Sequence, residues 1–228
     1  MHIIPVIDLV GGLVVRARMG ERASYRPIET PLAKTARPLD VVAGLLALHP
    51  FTTLYIADLD AIEGRGQHDG VLAELAAAFP GLALWVDNGK ADAAGAKKWL
   101  GENTGHLVLG SESQCGTALL ARLQTHPRAI VSLDFRGDSF LGPPAVLAQP
   151  EIWPARVIVM TLARVGSGAG PDLERLAQVR ALAGQRQVFA AGGVRGAGDL
   201  LALAQAGATG VLVASALHDG RLGAGDFS

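Results

Sequence analysis

The chain has 228 residues, half of them apolar, a net charge of −1 and one cysteine. That length supports one large buried core, and the near-neutral balance excludes the basic footprint of a nucleic-acid or anionic-membrane binder. A lone Cys115 excludes an intrachain disulfide, no apolar run approaches a membrane span, and the start MHIIPVIDL lacks the basic region of a signal peptide. A cytoplasmic protein acting on a small molecule is expected.

Short apolar runs alternate with amphipathic or Ala/Leu-rich stretches along the whole chain. Ile3 to Asp8 reads as strand β1, followed after a long loop by a helix over Pro38 to Leu48. Thr53 to Asp58 (β2) leads into a helix over Gly70 to Phe79, and Leu82 to Asp87 (β3) into one over Asp92 to Leu100. His106 to Gly110 (β4) precedes a helix over Ala118 to Thr125. Ala129 to Asp134 (β5) and Val157 to Thr161 (β6) follow, with a helix over Leu173 to Ala183. Val188 to Gly192 (β7), a helix over Asp199 to Ala206 and Gly210 to Ala214 (β8) complete the series.

Eight strands alternating with helices predict an α/β fold, a single (βα)8 TIM barrel over 1–228. An open doubly wound sheet is the alternative, against which no G-x-G-x-x-G follows β1. The spacing also suggests an approximate internal two-fold half-barrel repeat. Ala57 and Thr161, Asp87 and Ala191, and Ser111 and Ser215 are each 104 positions apart, and Asp8 superposes on Asp134.

In such a barrel the strand C-termini form the active face. Asp8, Asp58, Asp87, Asn88, Ser111, Asp134, Thr161, Gly192, Gly193 and Ser215 then ring one mouth. The stretch Val188 to Leu217 is a β-α-β unit whose glycines either make turns or let backbone N–H groups approach a phosphate. The β1 loop carries Arg16, Arg18, Glu21, Arg22, Tyr25 and Arg26, a cluster that closes over an anionic ligand or forms a solvated face. Six scattered histidines lack metal-ligand spacing, so no metal and no other cofactor is expected. The ring of aspartates suits Mg²⁺ or a cationic amine in principle.

The segments IIPVIDLVGGLVVR, LYIADLDAIEGRG, HLVLGSES, IVSLDFRGD, AGPDLERL, FAAGGVRGAGDL and GVLVASALHDGRL together resemble the histidine-biosynthesis barrels. That family comprises an Amadori-type aminoaldose–ketose isomerase acting on a ribonucleotide bisphosphate and the cyclase of imidazole glycerol phosphate synthase. The GERASYRPI loop is similar to an isomerase-related branch from methanogens and methylotrophs that make tetrahydromethanopterin-type C1 cofactors. The resemblance implies catalytic roles for Asp8, Asp134 and Thr161. It implies one phosphate seat at Gly192, Gly193, Ala214 and Ser215, and a second substrate end at Asp87, Asn88, Gly89, Gly110 and Ser111.

Two positions depart from the family pattern. The Gly-rich end of β3 reads Val86-Asp87-Asn88-Gly89, placing a carboxylate where a second phosphate would sit. The loop after β6 holds Gly166 where the isomerase has its partner acid, and glycine transfers no proton. The expected activity is isomerisation of a phosphorylated sugar or nucleotide-derived compound. A cyclase or lyase on a related phosphosugar, and a decayed ligand-binding barrel, are the alternatives.

Overall fold

The computed structural model describes residues 1–227. Its barrel strands are β1 His2–Val10, β2 Thr53–Asp58, β3 Ala83–Asp87, β4 His106–Gly110, β5 Ala129–Arg136, β6 Arg156–Thr161, β7 Gln187–Ala191 and β8 Gly210–Val213. Each lies parallel to the next in chain order, and β8 returns to β1 with His2 opposite Gly210. Closure leaves the barrel strands no free edge, and the open-sheet alternative falls away. The strand and helix limits lie within two residues of those read from periodicity, the helices Pro38–Leu48 and Leu173–Ala183 coinciding with them. Among the described residues no helix is long and apolar enough to cross a membrane.

Two apolar layers result from the two-residue period of the strands. Ile4, Tyr55, Trp85, Val108, Ile130, Ile158, Phe189 and Leu212 fill the inside of the barrel. Their outward neighbours, among them Ile7, Ile56, Val86, Leu109, Leu133 and Val159, pack under the helices. Both faces of each strand are therefore buried, which is why the runs read as continuously apolar.

Continuing the inward phase towards the strand ends brings Asp8, Ala57, Asp87, Gly110, Asp134, Met160 and Ala191 to the mouth. The ladder supports this placement, since Asp8 stands beside Ala57 and Ala57 beside Asp87, while Asp134 stands beside Met160.

The two halves mirror one another beyond strand spacing. After β1 the chain doubles back as a short antiparallel strand, Leu13–Val15, with Asp8 opposite Val15. After β5 it does the same as Ser139–Leu141, with Asp134 opposite Leu141. Both aspartates thus sit at the root of a hairpin, paired with the residue seven positions on. Neither hairpin was visible as a periodic run, because three residues are too few to show alternation.

Candidate active site

A cavity opens at the C-terminal mouth of the barrel, with Asp8, Asp87, Asp134 and Tyr55 among its walls. The three carboxyls have different surroundings. Asp134 is held on both oxygens: Ser132 Oγ donates to Oδ1 at 2.7 Å, and the Glu112 N–H donates to Oδ2 at 3.2 Å. Ser111 Oγ lies 3.1 Å from the same Oδ2 and 2.6 Å from the Leu141 carbonyl, so its one proton serves one of the two at a time. Asp87 accepts the Gly89 N–H at 3.2 Å, and its Oδ2 meets Tyr55 Oη at 3.5 Å. The Asp8 carboxyl has no hydrogen-bond or ion-pair partner among the described residues.

Burial dominates their titration, because a low-dielectric wall disfavours the charged form. Desolvation pushes Asp8 up to about 7, the Arg22 guanidinium opposing it. Desolvation and the neighbouring Asp134 push Asp87 up to about 8. Desolvation raises Asp134 to about 7 against the pull of the Ser132 hydroxyl. All three therefore exchange protons near neutrality, as proton-transfer groups must. Among the described residues no three His, Cys, Asp or Glu side chains converge on a metal position.

The β1 loop folds over this mouth. The Met19 N–H donates to the Val165 carbonyl of the β6 loop at 2.8 Å. Arg22 bonds Glu112 and lies 3.5 Å from Glu63, so it clasps the loops after β2 and β4. Of the six β1-loop residues singled out in the sequence, only Arg22 and Tyr25 line the cavity. Arg16 is turned to Asp219 at 2.7 Å, and Arg26 to the Tyr25 carbonyl at 2.8 Å.

Across the barrel from Asp87, Gly166, Gly168, Gly192, Gly193, Ala214 and Ser215 line the wall together with Arg164 and Arg221. The N–H groups of Gly168, Gly193 and Ser215 donate to no protein acceptor among the described residues. Gly193 has φ +86°, and a Cβ there would overlap the Gly170 carbonyl, so only glycine fits. Arg221 is oriented by Asp219 Oδ2 at 3.0 Å. The result is a set of donors with positive charge behind it, on the side where the sequence predicted a phosphate.

Several predicted residues lie behind the wall instead of in it. Thr161 has the outward phase of β6; its hydroxyl donates to the Ala191 carbonyl at 3.0 Å, and Met160 holds the inward place. Asp58 is likewise out of phase and caps the next turn, accepting from the N–H groups of Ala61 at 3.1 Å and His68 at 2.8 Å. Gly110 is required because a Cβ there would come within 2.8 Å of Asp87 Oδ2 and 3.4 Å of Asp134 Oδ2. Asn88 is buried with Oδ1 unpartnered, Gly89 packs its backbone on Ile62, and Ser111 supports Asp134; none of them lines the cavity.

Sequence reasoning passed over Tyr55, Ser132, Glu112 and Arg221. Strand phase was the available signal for the first two, since Tyr55 lies two residues before Ala57 and Ser132 two before Asp134.

A closed barrel of eight parallel strands, with ionisable side chains gathered at their C-terminal ends, defines a (βα)8 barrel of the enzyme-bearing kind. More narrowly, the chain belongs to the histidine biosynthesis protein family, whose model matches residues 2–223. An uncharacterized protein of Methanocaldococcus jannaschii is 28% identical over 97% of this chain and 95% of its own length. The 1-(5-phosphoribosyl)-5-((5-phosphoribosylamino)methylideneamino)imidazole-4-carboxamide isomerase of Rubrobacter xylanophilus is 29% identical over 96% of this chain and 92% of its own. The isomerase of the same name from Deinococcus radiodurans is 28% identical over 97% and 95%.

Proposed function

We propose that this chain is an acid/base isomerase of a phosphorylated aminoaldose or ribonucleotide-derived compound. The observation that carries the reading is the contrast between two symmetry-related carboxyls. Asp134 is fixed by donors that favour its ionised form, whereas Asp8 has none and faces the cavity freely. Both are raised to about 7, so at neutral pH each is present in both its protonated and its charged form and either can give or take a proton.

In this reading Asp8 gives its proton to the ring oxygen of the bound furanose, opening it to a Schiff base. Asp134 then takes the C2 proton, and the electron pair shifts to give the enolamine that tautomerises to the ketose. The phosphate seats on the N–H groups of Gly168, Gly193 and Ser215, with Arg221 behind them. Thr161 supports the Gly192 turn and does not transfer protons.

The reading as a decayed ligand-binding barrel fits less well. A decayed barrel has no reason to keep two costly buried carboxyls, Asp87 and Asp134. Gly166 lines the cavity at φ +64°, and a Cβ there would stand 2.9 Å from the Ala17 carbonyl, so the β6 loop is shaped around the β1 loop. Restoring an acid at that position requires moving backbone.

Asp8→Asn and Asp134→Asn are expected to lower turnover of an aminoaldose phosphate by at least about 10²-fold each, with inorganic phosphate still bound. Near-normal turnover in both variants would refute the assignment. The β1-loop resemblance supports a role in the making of a tetrahydromethanopterin-type C1 cofactor. Deleting the gene in its host should then abolish that cofactor and leave histidine synthesis intact.

A further inference from the structure

We infer that His68 is a positioning residue for Asp8: with Asp60 it pins the turn of the β1 hairpin and so keeps the β1 loop over the Asp8 carboxyl. The inference rests on the acid/base role given to Asp8 above.

Gly11 and Gly12 join β1 to Leu13–Val15 with φ +57° and +78°, the left-handed pair that a two-residue hairpin turn favours. Both of their N–H groups are taken by side chains of the loop after β2. Gly11 donates to Asp60 Oδ2 at 2.7 Å, and Gly12 to His68 Nε2 at 2.8 Å. Because Nε2 accepts, the ring proton lies on Nδ1, which donates to Asp58 Oδ1 at 2.8 Å. The buried Asp58 also accepts the His68 N–H, so one carboxylate fixes both the backbone and the tautomer of His68.

The mirror hairpin has no such pin. Asp134 stands at its root as Asp8 stands at the root of the first, yet the N–H groups of its turn residues, Gly137 and Asp138, donate to no protein acceptor among the described residues. Closing a hairpin therefore does not itself require the pin. The two aspartates differ in what holds them. Asp134 has the Ser132 hydroxyl and the Glu112 N–H, whereas the surroundings of the Asp8 carboxyl are set by its strand and by the loop above it. Gly20, Arg22 and Tyr25 of that loop line the cavity with Asp8. The β2 loop grips this cover a second time, since Arg65 bonds Asp60 Oδ1 at 3.0 Å and also Glu63, which lies 3.5 Å from Arg22.

The test separates the two ring nitrogens. His68→Asn keeps a donor for Asp58 and loses the acceptor for Gly12, whereas His68→Gln places an amide oxygen where Nε2 lies and keeps that acceptor. Asp8 is followed by carboxyl NMR, its signal assigned by its loss in Asp8→Asn, and turnover is measured on an aminoaldose phosphate. In His68→Asn the Asp8 titration should fall from about 7 by at least about one unit as water reaches the carboxyl, and kcat should drop at least about tenfold. His68→Gln should hold both near the parent values. If His68→Asn does not fold, Asp60→Ala, which removes the acceptor of Gly11, carries the same expectation and the same refutation. An Asp8 titration that stays at the parent value in folded His68→Asn, or that moves equally in His68→Gln, overturns the positioning role. A fall in the titration with turnover unmoved, in a protein whose Asp8→Asn variant also turns over normally, overturns the acid role of Asp8 and leaves the pin standing.

Discussion

Replacing Asp87 by Asn should stabilise the protein, and only above the acid range. Asp87 is pushed from 3.8 up to about 8 by desolvation and by Asp134, so the folded chain binds its proton more tightly than the unfolded chain does. Below about pH 4 both states are protonated and the group costs nothing. As pH rises the unfolded state ionises first, and the penalty on folding grows until the folded group also ionises near pH 8.

A displacement of roughly 4 units at about 1.4 kcal/mol per unit sets a ceiling on the order of 5 kcal/mol. Asp134 shares that repulsion and relaxes when the carboxylate is removed, so about 2–3 kcal/mol is expected at pH 9. Asn keeps an acceptor for the Gly89 N–H, which sits 3.2 Å from the carboxyl oxygen it replaces.

Urea unfolding of the parent and Asp87→Asn between pH 4 and pH 9 measures the difference. The gap should be near zero at pH 4 and open steadily to a midpoint shift of about 1 M urea, for a slope of 2–3 kcal/mol/M. A gap that is the same at every pH, or a variant less stable at pH 9, would show that Asp87 is not a strained buried acid.

Three further outcomes follow from the geometry. Ser132→Ala removes the hydroxyl that favours ionised Asp134, so the acid limb of the pH–rate profile should move up by about one unit with the plateau preserved; an unmoved limb contradicts the assignment of Asp134 as base. Gly193→Ala forces an L side chain into φ +86° against the Gly170 carbonyl, and should cost about 1–3 kcal/mol of stability and abolish phosphate binding by calorimetry. Asp199 accepts the Arg195 N–H at 2.8 Å ahead of the helix Ala197–Gln205, and the Arg195 hydrogen bond holds its carboxyl below 3.8. Its stabilisation is present above that range and lost as pH falls through the lowered value. Asp199→Asn should therefore cost about 1 kcal/mol at pH 7 by urea unfolding and nothing near pH 2, and an acid-independent loss would refute the ion-pair origin.

The sequence by itself determined the barrel and half of the site. Eight continuous apolar runs separated by helical stretches admit little else, and an aspartate ending such a run, as at Asp8, Asp87 and Asp134, marks a strand C-terminus on one common face. The glycines of β7 and the Ala214–Ser215 turn were legible for the same reason, since a Gly-Gly pair after a buried strand demands a special backbone path.

Tertiary structure decided which strand-end residues face the cavity. In a parallel sheet covered on both sides, Val157 and Val159 are as apolar as Ile158 and Met160, so alternation leaves no polar mark and the phase of Thr161 or Asp58 is invisible until the strands are aligned. It also decided the partners. Arg22 reaches Glu112 across 90 positions, and Ser111 meets Asp134 across 23, through closure of the barrel and folding of loops whose sequences carry no period. The ionisation of the three aspartates is of the same kind, because it comes from the low-dielectric wall that all eight strands build together and that no single strand contains.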